Sequence, residues 1–206
     1  DIKLKNRSSI KGIGDDAAVL NYNRKRVLVS TDMLIQGIHF DLTYTPLKHL
    51  GYKAVVVNAS DIYAMNGTPK QITLSVAISN HFSVESMDEF YAGVRLACDM
   101  YGIDLVGGDT TSSLSGMCIS VTVIGEAEKD DVVYRNGAKP NELICVSGDL
   151  GAAYMGLQLL EREKLVFNES KEANPDFSGY EYILERQLKP EARRDIVEML
   201  REKGIK

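Results

Sequence analysis

Hydrophobic and polar positions along the chain fall into segments of two kinds, one alternating with a period of two and one recurring every three to four residues. Residues 17–20 and 26–30 read as two short strands joined by the polar turn Asn21-Tyr22-Asn23-Arg24-Lys25, a hairpin signal. Residues 33–40 follow as an irregular or extended segment. Thr45-Pro46 reads as an N-cap with proline at the first helical position, opening a helix through Leu47, Leu50, Ala54, Val57 and Ala64 that ends near Gly67-Thr68-Pro69. Residues 71–78 alternate as a strand. Ser83 then caps a second helix, with Glu85, Asp88 and Glu89 in the early turns where the helix dipole favours negative charge, and Gly102 stops it. Further strands are expected at 103–106, 117–126 and 142–146, and further helices at 152–163, 181–186 and 190–203. Regular periodicity lapses over 130–140, which marks a linker, and the polar stretch 168–178 separates the third helix from the last two.

Composition narrows this little. The 206 residues can bury a sizeable core, and 44% apolar with 26% charged residues is the make-up of an ordinary globular protein. A net charge of -5 argues against a nucleic-acid or anionic membrane surface. No apolar run approaches the ~18 residues of a membrane span, and the N-terminus lacks a signal-peptide pattern, so the cytoplasm is the expected compartment. Cys98, Cys118 and Cys145 each lie in a segment that reads as buried. Their number and spacing suit neither a disulfide framework nor a zinc site, and core thiols are expected.

Acidic residues in special places carry the candidate chemistry. Gly12-Ile13-Gly14-Asp15-Asp16-Ala17-Ala18 puts two carboxylates in a glycine-opened turn ahead of an apolar run. It matches the dinucleotide pattern G-x-G-x-x-A, but the residues before it are polar rather than a buried strand, and a pyrophosphate would meet Asp15 and Asp16 without a cation between. The turn is either a surface feature with two solvated acids or part of a magnesium site, since Mg²⁺ takes oxygens from a few carboxylates and from substrate phosphates. The expected hairpin brings Asp16 and the segment Ser30-Thr31-Asp32 together. Asn58 and Asp61 share a helix face inside an apolar run, so Asp61 needs either a cation or a hydrogen-bond network. Gly107-Gly108-Asp109-Thr110-Thr111 reads as a second glycine-opened acid turn at a strand's end. His39, among apolar neighbours, reads on its own as a packing residue.

Two like charges ~4 Å apart repel by ~1 kcal/mol in water and ~4 kcal/mol at a protein surface, so Asp15, Asp16, Asp32, Asp61 and Asp109 can converge only around cations. More than one Mg²⁺ is the economical solution. Neither the G-x-x-x-x-G-K-[ST] loop nor the protein-kinase motif set is present, which leaves an acid-lined, multi-metal nucleotide site on an α/β scaffold.

Six motifs in order resemble those of the thiamine-monophosphate kinase family, within the wider group that includes aminoimidazole ribonucleotide synthetase and selenophosphate synthetase. They are the Gly12–Ala18 turn, Ser30-Thr31-Asp32, Gly37-Ile38-His39-Phe40, the run from Tyr52-Lys53-Ala54 through Asn58-Ala59-Ser60-Asp61 to Met65, Gly107-Gly108-Asp109-Thr110-Thr111, and Arg135-Asn136-Gly137-Ala138-Lys139-Pro140. The resemblance implies an α/β (α+β) protein: an N-terminal mixed sheet with flanking helices over residues 1–137 that pairs across a homodimer, then part of a second α/β domain over residues 138–206. It implies ATP-dependent phosphorylation of thiamine monophosphate to thiamine diphosphate, by direct in-line transfer. By position, Asp16, Ser30, Thr31, Asp32, Asp61 and Asp109 hold Mg²⁺, His39 contacts thiamine monophosphate, and Gly108, Asp109 and Arg135 engage ATP. Tyr91 is a weaker candidate for the nucleotide, and Asp15 is added on spacing alone. Members of the family continue beyond residue 206 into further metal, ATP and thiamine ligands, so a fragment with little turnover is expected. Another synthetase of the same group, or a non-catalytic nucleotide-binding or dimerisation module, are the competing readings.

Overall fold

The structure, a computed structural model, describes residues 3–11, 19–20, 25–128, 130–134, 138–170 and 175–205. A short antiparallel pair, β1 (Ser9–Lys11) with β2 (Val19–Leu20), stands apart from the main sheet. That sheet is built from β3 (Arg26–Ile35), β4 (Thr68–Ile78), β5 (Asp104–Ser112) and β6 (Cys118–Ala127), in the order β3-β6-β4-β5. β6 is antiparallel to both of its neighbours and β4 is parallel to β5. The parallel pair requires a crossover, which α2 (Val84–Tyr101) supplies, while α1 (Leu47–Ala64) joins β3 to β4.

Both helices lie on one face of the sheet, and strand alternation explains why. On β4, Ile72, Leu74 and Val76 are buried, and on β6, Ile119, Val121 and Val123; both sets meet Leu50, Val55 and Ile62 of α1 and Phe90 and Val94 of α2 in a single core. The opposite face is uncovered, and on β3 it displays Val27, Val29, Met33 and Ile35 at 45%, 65%, 53% and 39% exposure. The two helices approach backbone to backbone because each has glycine at the crossing. A Cβ on Gly51 would lie 2.0 Å from the Phe90 carbonyl oxygen, and one on Gly93 1.8 Å from that of Lys48. α2 begins and ends where expected: the Ser83 hydroxyl accepts from Ser86 N, and Gly102 takes the left-handed conformation at φ 68°.

A buried carboxylate ties the chain's start to the sheet. Asp104, 1% exposed at the head of β5, accepts from Lys5 N (2.6 Å), Asn6 N (3.1 Å), Asn6 Nδ2 (3.2 Å) and Ser9 Oγ (2.8 Å). Four donors satisfy a buried acid without a cation. At the other end, α3 (Ala152–Ser170), α4 (Glu181–Leu188) and α5 (Arg194–Glu202) follow a stretch, 138–151, that holds no helix or strand. Lys53 Nζ donates to the Gln187 carbonyl (3.0 Å), Ala192 N donates to the Tyr101 hydroxyl (3.1 Å), and Arg201 Nη2 donates to the Asn66 carbonyl (2.8 Å), which docks this part against α1 and α2. No helix among the described residues is long and apolar enough to cross a membrane.

Several local expectations change. Among the described residues β2 pairs with β1 and not with β3, so Val19–Leu20 do not make the hairpin expected with 26–30, and 17–18 lie outside the described residues; β3 finds a longer partner, ten residues of β6, and its side chains gain a core that a hairpin alone would not give. Ser30, Thr31 and Asp32 consequently sit in the middle of β3, not at its end. Gly107 to Thr111 continue β5 as paired strand instead of turning, because Gly108 lets the chain lie against β4: a Cβ there would meet the Leu74 carbonyl oxygen at 1.9 Å. α1 starts at Leu47 with Pro46 in the capping position and no side-chain cap. Residues 142–146 are not a strand; they have no neighbouring strand among the described residues, and Leu143 and Ile144 are 91% and 95% exposed. α3 runs seven residues further than expected, to Ser170, and α5 begins at Arg194. Of the three cysteines only Cys98 is buried, while Cys145 is exposed.

Two measurements test this packing. Gly93→Ala forces the two helix backbones apart and lowers unfolding free energy by about 3 kcal/mol in a urea titration. Burial holds the Cys98 thiol up at about 12, so at pH 8 a thiol reagent modifies Cys145 in the folded chain and reaches Cys98 only after denaturant is added.

Candidate functional site

The contact between α1 and β3 assembles the first group of expected site residues. The Ser30 hydroxyl donates to Asp61 Oδ2 at 2.6 Å. One helical turn earlier, Asn58 Oδ1 accepts from the backbone N–H of Asp32 at 3.0 Å, while its Nδ2 donates to the Ala54 carbonyl at 2.9 Å. Both side chains of the expected Asn58/Asp61 face therefore reach the same strand. Asp61 is half-buried and Asp32 is exposed.

Asp109 is elsewhere. The register runs Asp32 to Val121, Val121 to Leu74 and Leu74 to Gly108, from one edge strand to the other. Three strand spacings separate Asp32 from that position, about 14 Å. Asp109 is the next residue along, in a row with Ser75, Ser120 and Met33, and alternation puts it on the uncovered face. Thr31 shares that face; its hydroxyl lies 3.1 Å from Thr122 Oγ1 and 3.1 Å from the Val121 carbonyl. The expected ligand set thus divides, with Ser30, Asp32 and Asp61 at the β3 edge on the helix side and Asp109 at the β5 edge. No group of three or more His, Cys, Asp or Glu among the described residues lies close enough to hold a metal ion. Asp15, Asp16 and Arg135 lie outside the described residues.

Around Gly108 and Asp109 there is a cavity of about 350 Å³, lined by Leu74, Tyr91, Leu105, Gly107, Gly108, Asp109 and Thr110. Asp109 Oδ1 accepts from Thr110 N at 2.9 Å, which leaves its second oxygen for a ligand. β5 is an edge strand, so its outer backbone groups are available to the same cavity. A larger cavity of about 610 Å³ lies between α3, α4 and Thr43–Tyr44, walled by Leu160, Phe167, Phe177, Leu184 and Leu188. Its one ammonium, Lys164, is paired with Asp41 at 2.7 Å, and the walls offer nothing to a triphosphate. The smaller cavity instead combines glycine backbone, an aromatic ring and one carboxylate.

His39 sits in the turn that ends β3, where Gly37 takes φ +82°. Its Nδ1 accepts from Ile35 N at 3.0 Å, so the neutral ring carries its proton on Nε2. The ring is exposed. It is not the packing residue its apolar neighbours suggested, but an oriented donor about 10 Å along the strand from Asp32.

Do these residues fit magnesium? Asp32, Asp61 and Asp109 have no ion-pair partner among the described Lys, Arg and His residues. A half-buried carboxylate without a cation, in contact with a hydroxyl, and with Asp32 two residues along the strand from that hydroxyl, offers hard oxygens of the kind Mg²⁺ prefers. The fit is of donor type; one chain does not close the cluster. Sequence reasoning missed two residues here. It noted Asn58 only as sharing a face with Asp61, and it passed over Asp104, whose signal was an acid at the head of an apolar strand.

Comparison with known proteins places this geometry in context. A family model described as AIR synthase related protein, N-terminal domain, matches residues 14–127. Thiamine-monophosphate kinase of Bacillus subtilis is 38% identical over 185 residues, covering 88% of this chain and 54% of the relative, and that of Aquifex aeolicus is 37% identical over 194 residues, covering 94% and 59%. The chain spans about half the length of the curated relatives it matches. Among solved structures, thiamine-monophosphate kinase from Stenotrophomonas maltophilia superposes with a TM-score of 0.82 at 30% identity over 96% of this chain and 60% of that one. AaThiL complexed with AMPPCP and TMP superposes with a TM-score of 0.73 at 36% identity, over 92% and 57%.

Removing the hydroxyl that faces Asp61 tests the α1–β3 contact directly. Ser30→Ala leaves a half-buried carboxylate one donor short and lowers stability by about 1–2 kcal/mol in magnesium-free denaturation.

Proposed function

The chain belongs to the family of AIR synthase related proteins, and from that premise we propose that it carries the Mg-ATP site of an ATP-dependent kinase that converts thiamine monophosphate to thiamine diphosphate. The relatives that match most of the chain bear the name of that activity, and one neighbouring structure holds an ATP analogue together with TMP. The observation that carries the reading is the Gly107–Thr110 cavity beside Tyr91, an edge-strand backbone with a free carboxylate oxygen. Tyr91, a weak candidate from sequence, gains support from lining the same space as Gly108 and Asp109.

In this reading Gly108, Asp109 and Arg135 engage ATP, and Asp16, Ser30, Thr31, Asp32, Asp61 and Asp109 hold several Mg²⁺ ions. The ions neutralise the charge of the phosphates and of the aspartates that surround them. The protein's own part is positional. Asp61 and Asp32 are fixed by Ser30 and Asn58, and His39 offers Nε2–H to thiamine monophosphate. An oxygen of the substrate's phosphate attacks the γ-phosphorus in line as ADP departs, without a covalent enzyme intermediate.

Asp32 and Asp109 lie at opposite sheet edges, and in this reading a second copy of the chain brings the two edges into one site. The uncovered sheet face supports a homodimer: Val27, Val29, Met33 and Ile35 form an apolar strip that a monomer would leave in water. The β3 edge of one copy and the β5 edge of the other then complete each site. Residues 138–206 form the first part of a second α/β domain in this proposal.

Complementation separates this arrangement from a site within one chain. Asp32→Ala and Asp109→Ala each abolish Mg-dependent binding of a non-hydrolysable ATP analogue in the homodimer. Mixed dimers of the two variants recover about half of the wild-type sites, because one of the two shared sites then contains both native acids. No recovery in verified mixed dimers places both acids in the same chain's site, and retained binding by either variant alone removes that acid from the site.

A further inference from the structure

Asn58 is 1% exposed in the interior of α1, a place where asparagine is a poor helix former and where its neighbours Val55, Ala59 and Ile62 are apolar and buried. Packing alone therefore does not account for it. Its amide orientation is set by its partners: only Oδ1 can accept the Asp32 N–H, and only Nδ2 can donate to the Ala54 carbonyl. Every hydrogen bond it makes is either to its own helix or to the backbone of a residue expected to hold metal.

The second contact between the same two elements gives this bond its meaning. Asn58 meets Asp32 and Asp61 meets Ser30, so helix positions run backwards as strand positions run forwards. The helix returns antiparallel to the strand. The two contacts are about 4.5 Å apart along the helix and about 6.7 Å apart along the strand. Core packing holds α1 on the sheet, and two polar contacts of that spacing add a defined register of α1 on β3.

We infer that Asn58 is a positioning residue: it pins Asp32 to α1 and so presets Ser30, Asp32 and Asp61 as a ligand group before any metal arrives. The inference rests on the magnesium reading above. Asn58 touches neither metal nor substrate in this role. A neutral amide suits it, since a third carboxylate at this point would add repulsion to the pair it holds, and an apolar side chain would leave the Asp32 N–H without its acceptor.

The test uses Mg²⁺ alone as the probe, titrated calorimetrically, with exchange of the Asp32 amide followed by NMR and thermal melts as a check on folding. Asn58→Leu fills the space without an acceptor, Asn58→Ala is a smaller version of the same loss, and Asn58→Asp keeps the acceptor. In whichever acceptor-free variant melts cooperatively, Asp32 exchange accelerates and Mg²⁺ binds more weakly, each by about tenfold or more. Asn58→Asp retains slow exchange at Asp32, a rescue that a purely volumetric role for Asn58 would not give. Unchanged Mg²⁺ affinity in a folded acceptor-free variant overturns the inference, as does fast exchange in a folded Asn58→Asp chain. A wild-type chain that binds no Mg²⁺ at tens of millimolar brings down the magnesium reading instead, and the exchange contrast then decides the Asn58 contact by itself.

Discussion

Carboxylates without counterions are the constraint from which the rest of the structure takes its sense. Asp61 is held half-buried against Ser30, Asp32 is held one strand step away, and Asp109 waits at the far edge, with no basic side chain among the described residues paired to any of them. Bringing one such acid to ~4 Å from another costs ~4 kcal/mol at a protein surface. That is a large share of a domain's net stability of about 5–15 kcal/mol. Asp104 shows how the same chain treats an acid that is purely structural: four protein donors surround it and fill its hydrogen-bonding capacity. The contrast between the fully satisfied Asp104 and the unfinished Asp61 and Asp109 separates architecture from site.

Close backbone approach is the means by which the acids reach their places. Glycines at the α1–α2 crossing let both helices lie on one face, which leaves the other face and both edge strands open. Gly108 does the same within the sheet, where the Leu74 carbonyl occupies the space of a side chain. As a result β5 carries Asp109 onward along the sheet edge instead of folding it back, and the cavity beside Tyr91 forms at that edge. The uncovered face carries an apolar strip along β3, and under the proposed dimer a second copy of the chain would cover it.

The sequence made much of this legible wherever local chemistry decides structure. Ser83 and Gly102 bounded α2, the alternation of 71–78 located β4, and the apolar run around Asn58 and Asp61 identified α1 as the helix that carries a half-buried acid. Reading failed where partners chosen from far along the chain decide. Residues 26–30 looked like the second arm of a hairpin because the turn before them is polar, yet β6, more than eighty residues later, offers a ten-residue ladder. Gly107-Gly108 looked like a turn because glycine permits one, and only the neighbouring Leu74 carbonyl shows that closeness, not bending, is what glycine serves there. His39 was read from its apolar neighbours, although the backbone N–H that orients its ring is four residues back and invisible to composition. The family resemblance named Asp32, Asp61 and Asp109 as one set, but their division between two sheet edges is a fact of register that motifs do not contain.

The central claim is that acids from the two edges, in two copies of the chain, grip the same nucleotide through shared metal. Crystals grown with AMPPCP and Mn²⁺ in place of Mg²⁺ answer it by anomalous scattering from the manganese. The account predicts manganese at the nucleotide phosphates, liganded by Asp32 or Asp61 of one protomer and by Asp109 of its partner. Manganese and phosphates gathered by acids of a single protomer, or a nucleotide bound away from Asp109 altogether, would contradict it.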